Sequence, residues 1–190
     1  MNGDGVTGND LMYIPRYATD LVFAPRTFFA GTSDQFVYTA AQQAADFDAY
    51  INADPYLRAH RGEYAERNGA VQPWQHRVDF RLLQDIFTNL GDNKNSLQFS
   101  LDIFNVGNLI NRNWGVYQFQ YTSSPLAFQS YNAQGQPTYQ FQYVSVPTRT
   151  VNGGTATVNP GTVLTTPFRN DVTTLASRWQ AQIGLRYLFN

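Results

Sequence analysis

Asn2-Gly-Asp4-Gly-Val-Thr-Gly-Asn9-Asp10 concentrates oxygen ligands and glycine turns in the manner of a calcium loop. Calcium takes six to eight oxygens, and an EF-hand completes them with a bidentate glutamate at its twelfth position. Counted from Asn2, that position is Tyr13. The stretch therefore reads first as an Asn/Asp/Gly turn, with calcium at Asn2, Asp4, Asn9 and Asp10 as the candidate cofactor. His60 and His76 are the only histidines, neither has a partner at metal-ligand spacing, and neither HExxH nor GxSxG occurs. With no cysteine, thiol catalysis, disulfides and Cys-containing zinc sites are removed together. No enzyme is expected, no catalytic residue is nominated, and no metal centre is nominated.

Aromatic chemistry is more prominent. YQFQY occurs at Tyr117–Tyr121 and again at Tyr139–Tyr143. Tyr117, Phe119, Tyr121, Tyr139, Phe141 and Tyr143 are candidates to stack on a sugar or another flat ligand, set against cross-strand aromatic pairing that only stiffens a hairpin. LAFQSY and TYQFQYV flank NAQGQP, which predicts a β-hairpin over 126–146 projecting from a loop.

The elements that must carry these residues show a period of two. From Trp74, Val78, Phe80 and Leu82 alternate with Arg77, Asp79 and Arg81; TNLGDNKN then reads as a short turn. SLQFSLDIF sets Leu97, Phe99, Leu101 and Ile103 against Gln98, Ser100 and Asp102. In the closing segment Trp179, Ala181, Ile183, Leu185, Tyr187 and Phe189 alternate with Arg178, Gln180, Gln182 and Arg186. Each strand thus has one oily and one wet side. Elsewhere, residues 1–35 read as irregular loop with at most short extended pieces. Ala40, Ala44, Phe47 and Ile51 predict a helix in TAAQQAADFDAYINAD, and Asp54-Pro55 predicts a second one through Arg61, ended by Gly62.

Charged residues make up only 14% of the chain, against about 25% in ordinary soluble domains. Aromatics reach 15%, and the net charge of -1 gives no basic footprint for nucleic acid. No apolar run approaches the length of a membrane helix, and the opening residues lack the regions of a signal peptide, so membrane entry is expected through strands and any export signal upstream of Met1. The connections then fit a transmembrane barrel, which has short periplasmic turns and long extracellular loops. This divides the chain into an extracellular loop with short helices (1–73), a hairpin with a periplasmic turn (74–104), a long extracellular loop with a hairpin (105–174) and a closing strand (175–190). The apolar sets would face lipid and the polar sets the lumen. Trp74, Trp114 and Trp179 would mark the outer strand ends, with Phe87, Tyr187 and Phe189 near the inner ends.

NGDGVTGNDLMYIP, DAYINADPYLRAHRGEYAERNGAVQPW, LDIFNVGNLINRNWG and WQAQIGLRYLFN together resemble the C-terminal segment of TonB-dependent receptors of the Oar-like type, which carry a carboxypeptidase-regulatory-like domain at the N-terminus. The resemblance implies an all-β fold class, the last strands of a 22-stranded barrel in the bacterial outer membrane. It implies nutrient import by energy-coupled transport, with lipid, the rest of the barrel, a plug domain and the TonB complex as partners. Three or four strands cannot close such a barrel. The chain is therefore expected to be a fragment that exposes strand edges in isolation. The alternatives are a self-contained β-rich surface or soluble module, carbohydrate-directed through the aromatic hairpin, and a short barrel that closes as an oligomer.

Overall fold

The computed structural model describes residues 11–90 and 93–188, with backbone only for 87–90, 93 and 94. Asn2, Asp4, Asn9, Asp10 and Phe189 lie outside the described residues, as does the Phe87 side chain. Strand predominates. In chain order come β1 (Val22–Phe23), β2 (Arg26–Phe28), β3 (Phe36–Tyr38), α1 (Ala40–Ala53), α2 (Pro55–Ala59), β4 (Phe80–Leu90), β5 (Asn93–Phe104) and α3 (Val106–Ile110). Then follow β6 (Tyr117–Gln120), β7 (Leu126–Tyr131), β8 (Pro137–Phe141), β9 (Tyr143–Ser145), β10 (Thr148–Asn152), β11 (Thr155–Asn159), β12 (Thr162–Val163), β13 (Phe168–Asp171) and β14 (Gln180–Leu188). They form two compact units, one from residues up to Val71 with Gln120–Arg169, the other from Gln72–Phe119 with Asn170 onward.

The first unit is built on α1. Thr39 and Gln42 form a capping box: the Thr39 hydroxyl accepts the Gln42 N–H at 3.2 Å, and the Gln42 side chain accepts the Thr39 N–H at 3.0 Å. Asp54 caps α2 by accepting the Leu57 N–H at 2.9 Å, with Pro55 at the first helical position, where its missing N–H is harmless. The second helix stops at Ala59, two residues short of Arg61, because His60 already serves as its C-cap and Gly62 turns the chain at φ 87°. Gln43, Phe47, Tyr50 and Ile51 form the buried face of α1. Ile14, Phe23, Leu57, Phe141 and Leu164 complete a core with its three apolar members. Residues assigned to two extracellular loops thus build a hydrophobic core of their own.

The hairpin at NAQGQP forms, with β7 antiparallel to β8 and a register shift between Phe128 and Ser130. It does not project. β8 also pairs in parallel with β1, and Phe141 at its end is fully buried, its ring centroid 5.4 Å from Phe47 and 5.9 Å from Tyr50. A ring this large is driven into the core, since its burial is worth several times a hairpin's cross-strand pairing.

Gln43 is a polar side chain at the centre of this core, with no exposed surface. Its amide nitrogen donates to the carbonyls of Ala24 at 2.7 Å and Tyr38 at 3.1 Å. Its oxygen accepts the Phe141 N–H at 3.0 Å, across 98 residues of sequence. The side chain therefore completes backbone pairing at the ends of three strands that cannot complete it themselves.

Gln43→Leu keeps the volume and orphans three backbone groups. It is expected to lower stability of this unit by about 3 kcal/mol, on the cost of unsatisfied buried groups. Denaturant unfolding followed by near-UV dichroism of the tyrosines checks it, and a loss below about 0.5 kcal/mol would show that water replaces the amide.

Burial, and then the Asp54 charge, push the Tyr50 phenol up to about 12 from an ordinary 10.0. A phenol whose pKa is raised by folding stabilises the fold fully below pH 10.0 and loses that contribution as the pH rises through about 12. The near-UV signal is expected to collapse in that window, and Tyr50→Phe to move the collapse to higher pH. An unchanged alkaline midpoint in that variant contradicts the assignment.

Candidate functional site

The second unit carries the residues with the clearest division of labour. β5 is the central strand of an antiparallel sheet ordered β14-β5-β4. Its register places Phe80, Ile103 and Ala181 in one row, Leu82, Leu101 and Ile183 in the next, and then Gln84, Phe99 and Leu185, followed by Ile86, Leu97 and Tyr187. All these residues share one face, because side chains alternate with period two and partners in register lie on the same side. The other face carries the rows Arg81, Asp102 and Gln182; Leu83, Ser100 and Gly184; and Asp85, Gln98 and Arg186. Each face has a residue against type, Gln84 among the apolar side chains and Leu83 among the polar ones.

On the polar face Arg81 and Asp102 form an ion pair at 2.9 Å. The Gln98 amide donates to Asp85 at 2.8 Å, and the Ser100 hydroxyl donates to the Gly184 carbonyl at 3.5 Å. Two arginines thus stand among two aspartates, and the charge is balanced locally. On the apolar face the central strand is half-buried by its neighbours, while Ile183 and Leu185 keep 69% and 71% of their surface exposed.

Both ends of the predicted set need correction. Arg77, Val78 and Asp79 precede β4 and lie on no strand: β5 ends at Phe104, and beyond it the Val78 carbonyl accepts the Val106 N–H at 2.8 Å without extending the ladder. Arg77 instead pairs with Asp79 at 2.9 Å. The Arg77 guanidinium, and then the Asn105 N–H, hold the Asp79 carboxyl below its usual 3.8. Arg178 and Trp179 precede β14. A turn of 3-10 helix over Leu175–Ser177 replaces the predicted first part of the closing strand, and the Arg178 side chain donates to the Val172 carbonyl at 2.8 Å. At the opposite end the predicted turn TNLGDNKN is mostly strand. β4 runs to Leu90 and β5 starts at Asn93, with Leu90 opposite Asn93.

The upper end of the sheet is knitted from 72–79, 105–119 and 170–179, and side-chain amides and a hydroxyl do most of the work. Asn105 ends β5 in the left-handed conformation at φ 54°, a region asparagine tolerates. Its N–H donates to Asp79 at 2.8 Å and its side-chain amide to the Gly115 carbonyl at 3.2 Å. Asn108 donates to the carbonyls of Arg112 and Trp114 at 2.9 and 3.0 Å and accepts the Trp179 N–H at 3.3 Å. Buried Ser177 accepts the Tyr117 N–H at 2.9 Å. Sequence reasoning missed these residues. The signal was there in the asparagines of FNVGNLINRNWG, directly after a strand and so placed to turn the chain. Trp74, Trp114 and Trp179 all belong to these segments, and Trp74 is 90% exposed.

The six loop aromatics divide between the two units. Tyr117 and Phe119 stack at 6.4 Å in the second unit. In the first, Tyr121 takes the Arg169 guanidinium at 5.5 Å, Tyr139 meets Phe128 at 6.4 Å, and Tyr143 meets Tyr38 at 5.2 Å. Phe141 is removed from the ligand-contact set by its burial. His60 stacks on Tyr56 at 4.1 Å and its Nδ1 lies 2.9 Å from the Tyr56 carbonyl, while His76 is exposed. Among the described residues no three acidic or histidine side chains converge on one point.

Gly115 has φ +64°, and a methyl there would land on the Asn105 side chain. Gly115→Ala is expected to cost about 2 kcal/mol or more, the left-handed penalty plus the clash. Denaturant unfolding followed by tryptophan fluorescence reads this unit alone, since all three tryptophans lie in it. Gly135→Ala, at φ +74° with open space around it, should leave that transition in place. Equal shifts from the two variants would contradict the packing described.

Compared with models of known families, with curated proteins and with solved structures, the chain matches none.

Proposed function

We propose that the chain is the C-terminal part of an outer-membrane receptor of the TonB-dependent kind, in which β4, β5 and β14 are consecutive wall strands. The observation that carries this reading is the apolar face of the three-stranded sheet, interrupted only by Gln84 among the described rows and exposed along its two outer strands. Strands of 11, 12 and 9 residues meet the length of about 9 to 11 that crosses a bilayer at barrel tilt. A soluble sandwich would cover such a face with a second layer, since exposed apolar surface of this extent promotes association in water.

In this reading the apolar rows face lipid and the polar rows face the lumen. The rim with its three tryptophans lies at the outer interface, where aromatic side chains are favoured. The end of the sheet where Leu90 faces Asn93 is periplasmic, and the unit built on α1 is extracellular. β4 and β14 are edge strands, with backbone groups available for neighbouring wall strands, and closure of a barrel satisfies them. Ligand capture would fall to the extracellular unit and import to a plug driven by TonB.

Fractionation of source cells with an antibody against 126–146 tests this. The expected result is a band in the outer-membrane fraction, on the order of 100 kDa for a barrel of about 22 strands with a plug, that migrates faster unboiled because the barrel stays closed. A 21.5 kDa band in the soluble fraction overturns it.

A further inference from the structure

The α1 unit contains a cleft of about 380 Å³, within the size range of small-molecule sites. Its walls include the rings of Phe36, Tyr38 and Tyr143, and its polar groups are Gln42 and Asp46. Asp46 is the only one of the described lining residues with a formal charge. One of its oxygens accepts the Tyr38 hydroxyl at 2.7 Å; the other, Oδ1, accepts no hydrogen bond from the described residues. Burial, followed by the Asp46 hydrogen bond, holds the Tyr38 phenol far above its ordinary range. Burial also raises Tyr143. Both phenols are therefore neutral at physiological pH, and the cleft carries a single negative charge among aromatic walls.

Aromatic faces attract cations through the ring quadrupole, most strongly where water is partly excluded. The same cluster already seats one. The Arg26 guanidinium lies 4.6 Å over Phe28, and Phe28 stacks on Phe36 at 5.0 Å and meets Tyr143 edge-on at 5.5 Å. Arg26 lies over Phe28, outside the lining, and its charge reaches the Tyr143 phenol; on the described lining itself the one formal charge is that of Asp46. An anion would meet the Asp46 carboxylate, and a neutral ligand would leave that carboxylate with the Tyr38 hydroxyl alone and no cation on the described lining.

We propose that this cleft binds a small organic ammonium ion, its cationic head against the Tyr143 and Phe36 rings and beside the Asp46 carboxylate. The inference concerns the α1 unit alone and does not depend on the sheet being a barrel wall.

The test is calorimetric titration of the full chain, kept in a polyoxyethylene detergent that carries neither charge nor sugar, with choline as the probe. Its uncharged isostere, with carbon in place of the quaternary nitrogen, is the control. Choline is expected to bind, and the isostere to bind at least about tenfold more weakly. Asp46→Asn keeps an acceptor for Tyr38 and removes the charge, so it should weaken choline by a similar factor. Ala45→Trp, at an exposed α1 position lining the cleft, should block it with the carboxylate intact. Near-UV dichroism matching the parent shows that each variant is folded. No choline binding to the parent chain, binding unchanged in both folded variants, or equal affinity for the isostere overturns the proposal.

Discussion

A buried backbone N–H or carbonyl without a partner costs more than a typical hydrogen bond contributes, and one glutamine meets that requirement for the α1 unit. Segments around Ala24, Tyr38 and Phe141 reach the core by short strands that end there. Gln43 projects from α1 into the place where they converge and bonds all three. Its position on the helix follows from the capping box at Thr39 and Gln42, which sets the first turn and so the direction of every later side chain. Asp46, three residues on, then comes to the Tyr38 hydroxyl, while the Tyr38 carbonyl is held by Gln43. The cleft walls are consequences of that arrangement.

The second unit meets the same requirement by different means. Its three long strands satisfy one another except at their outer edges, and where pairing stops at Phe104, side chains take over. Asn105, Asn108 and Ser177 bond the backbone of segments that have left the sheet, which makes this end an ordered rim. The cost is visible at Asn105, whose side-chain oxygen is buried without a partner. Glycine at 115 is what allows that side chain to fit. On the sheet itself Arg81 and Asp102 pair on the polar face, while on the apolar face Ile183, Leu185 and Tyr187 of β14 stay exposed.

Strand periodicity was legible because it is local. A residue on β5 points to the same face whatever its neighbours do, so the grouping of Leu97, Phe99, Leu101 and Ile103 follows from alternation alone, and pairing adds the rows. α1 and the Asp54-Pro55 start of α2 were legible for the same reason, since caps act over three or four residues. Strand ends were not. Arg77 and Val78 continue the alternation of β4 in the sequence, yet alternation extends beyond the point where a partner strand ends. The aromatic repeats misled in a related way: Tyr139, Phe141 and Tyr143 alternate identically, and only the position of α1 makes the middle one a core residue.

What the sequence by itself determined is therefore the two-faced character of the long strands, their chain order, the helix starts and the poverty of surface charge, all set by composition and short-range geometry. The tertiary structure decided that 11–71 and 120–169 share a core, that Gln43 and Asn105 are structural centres, and that Asp46 joins three rings in one cleft. Those outcomes depend on contacts between residues up to 98 positions apart, and the preferences of a local segment carry no information about which distant segment will complete it.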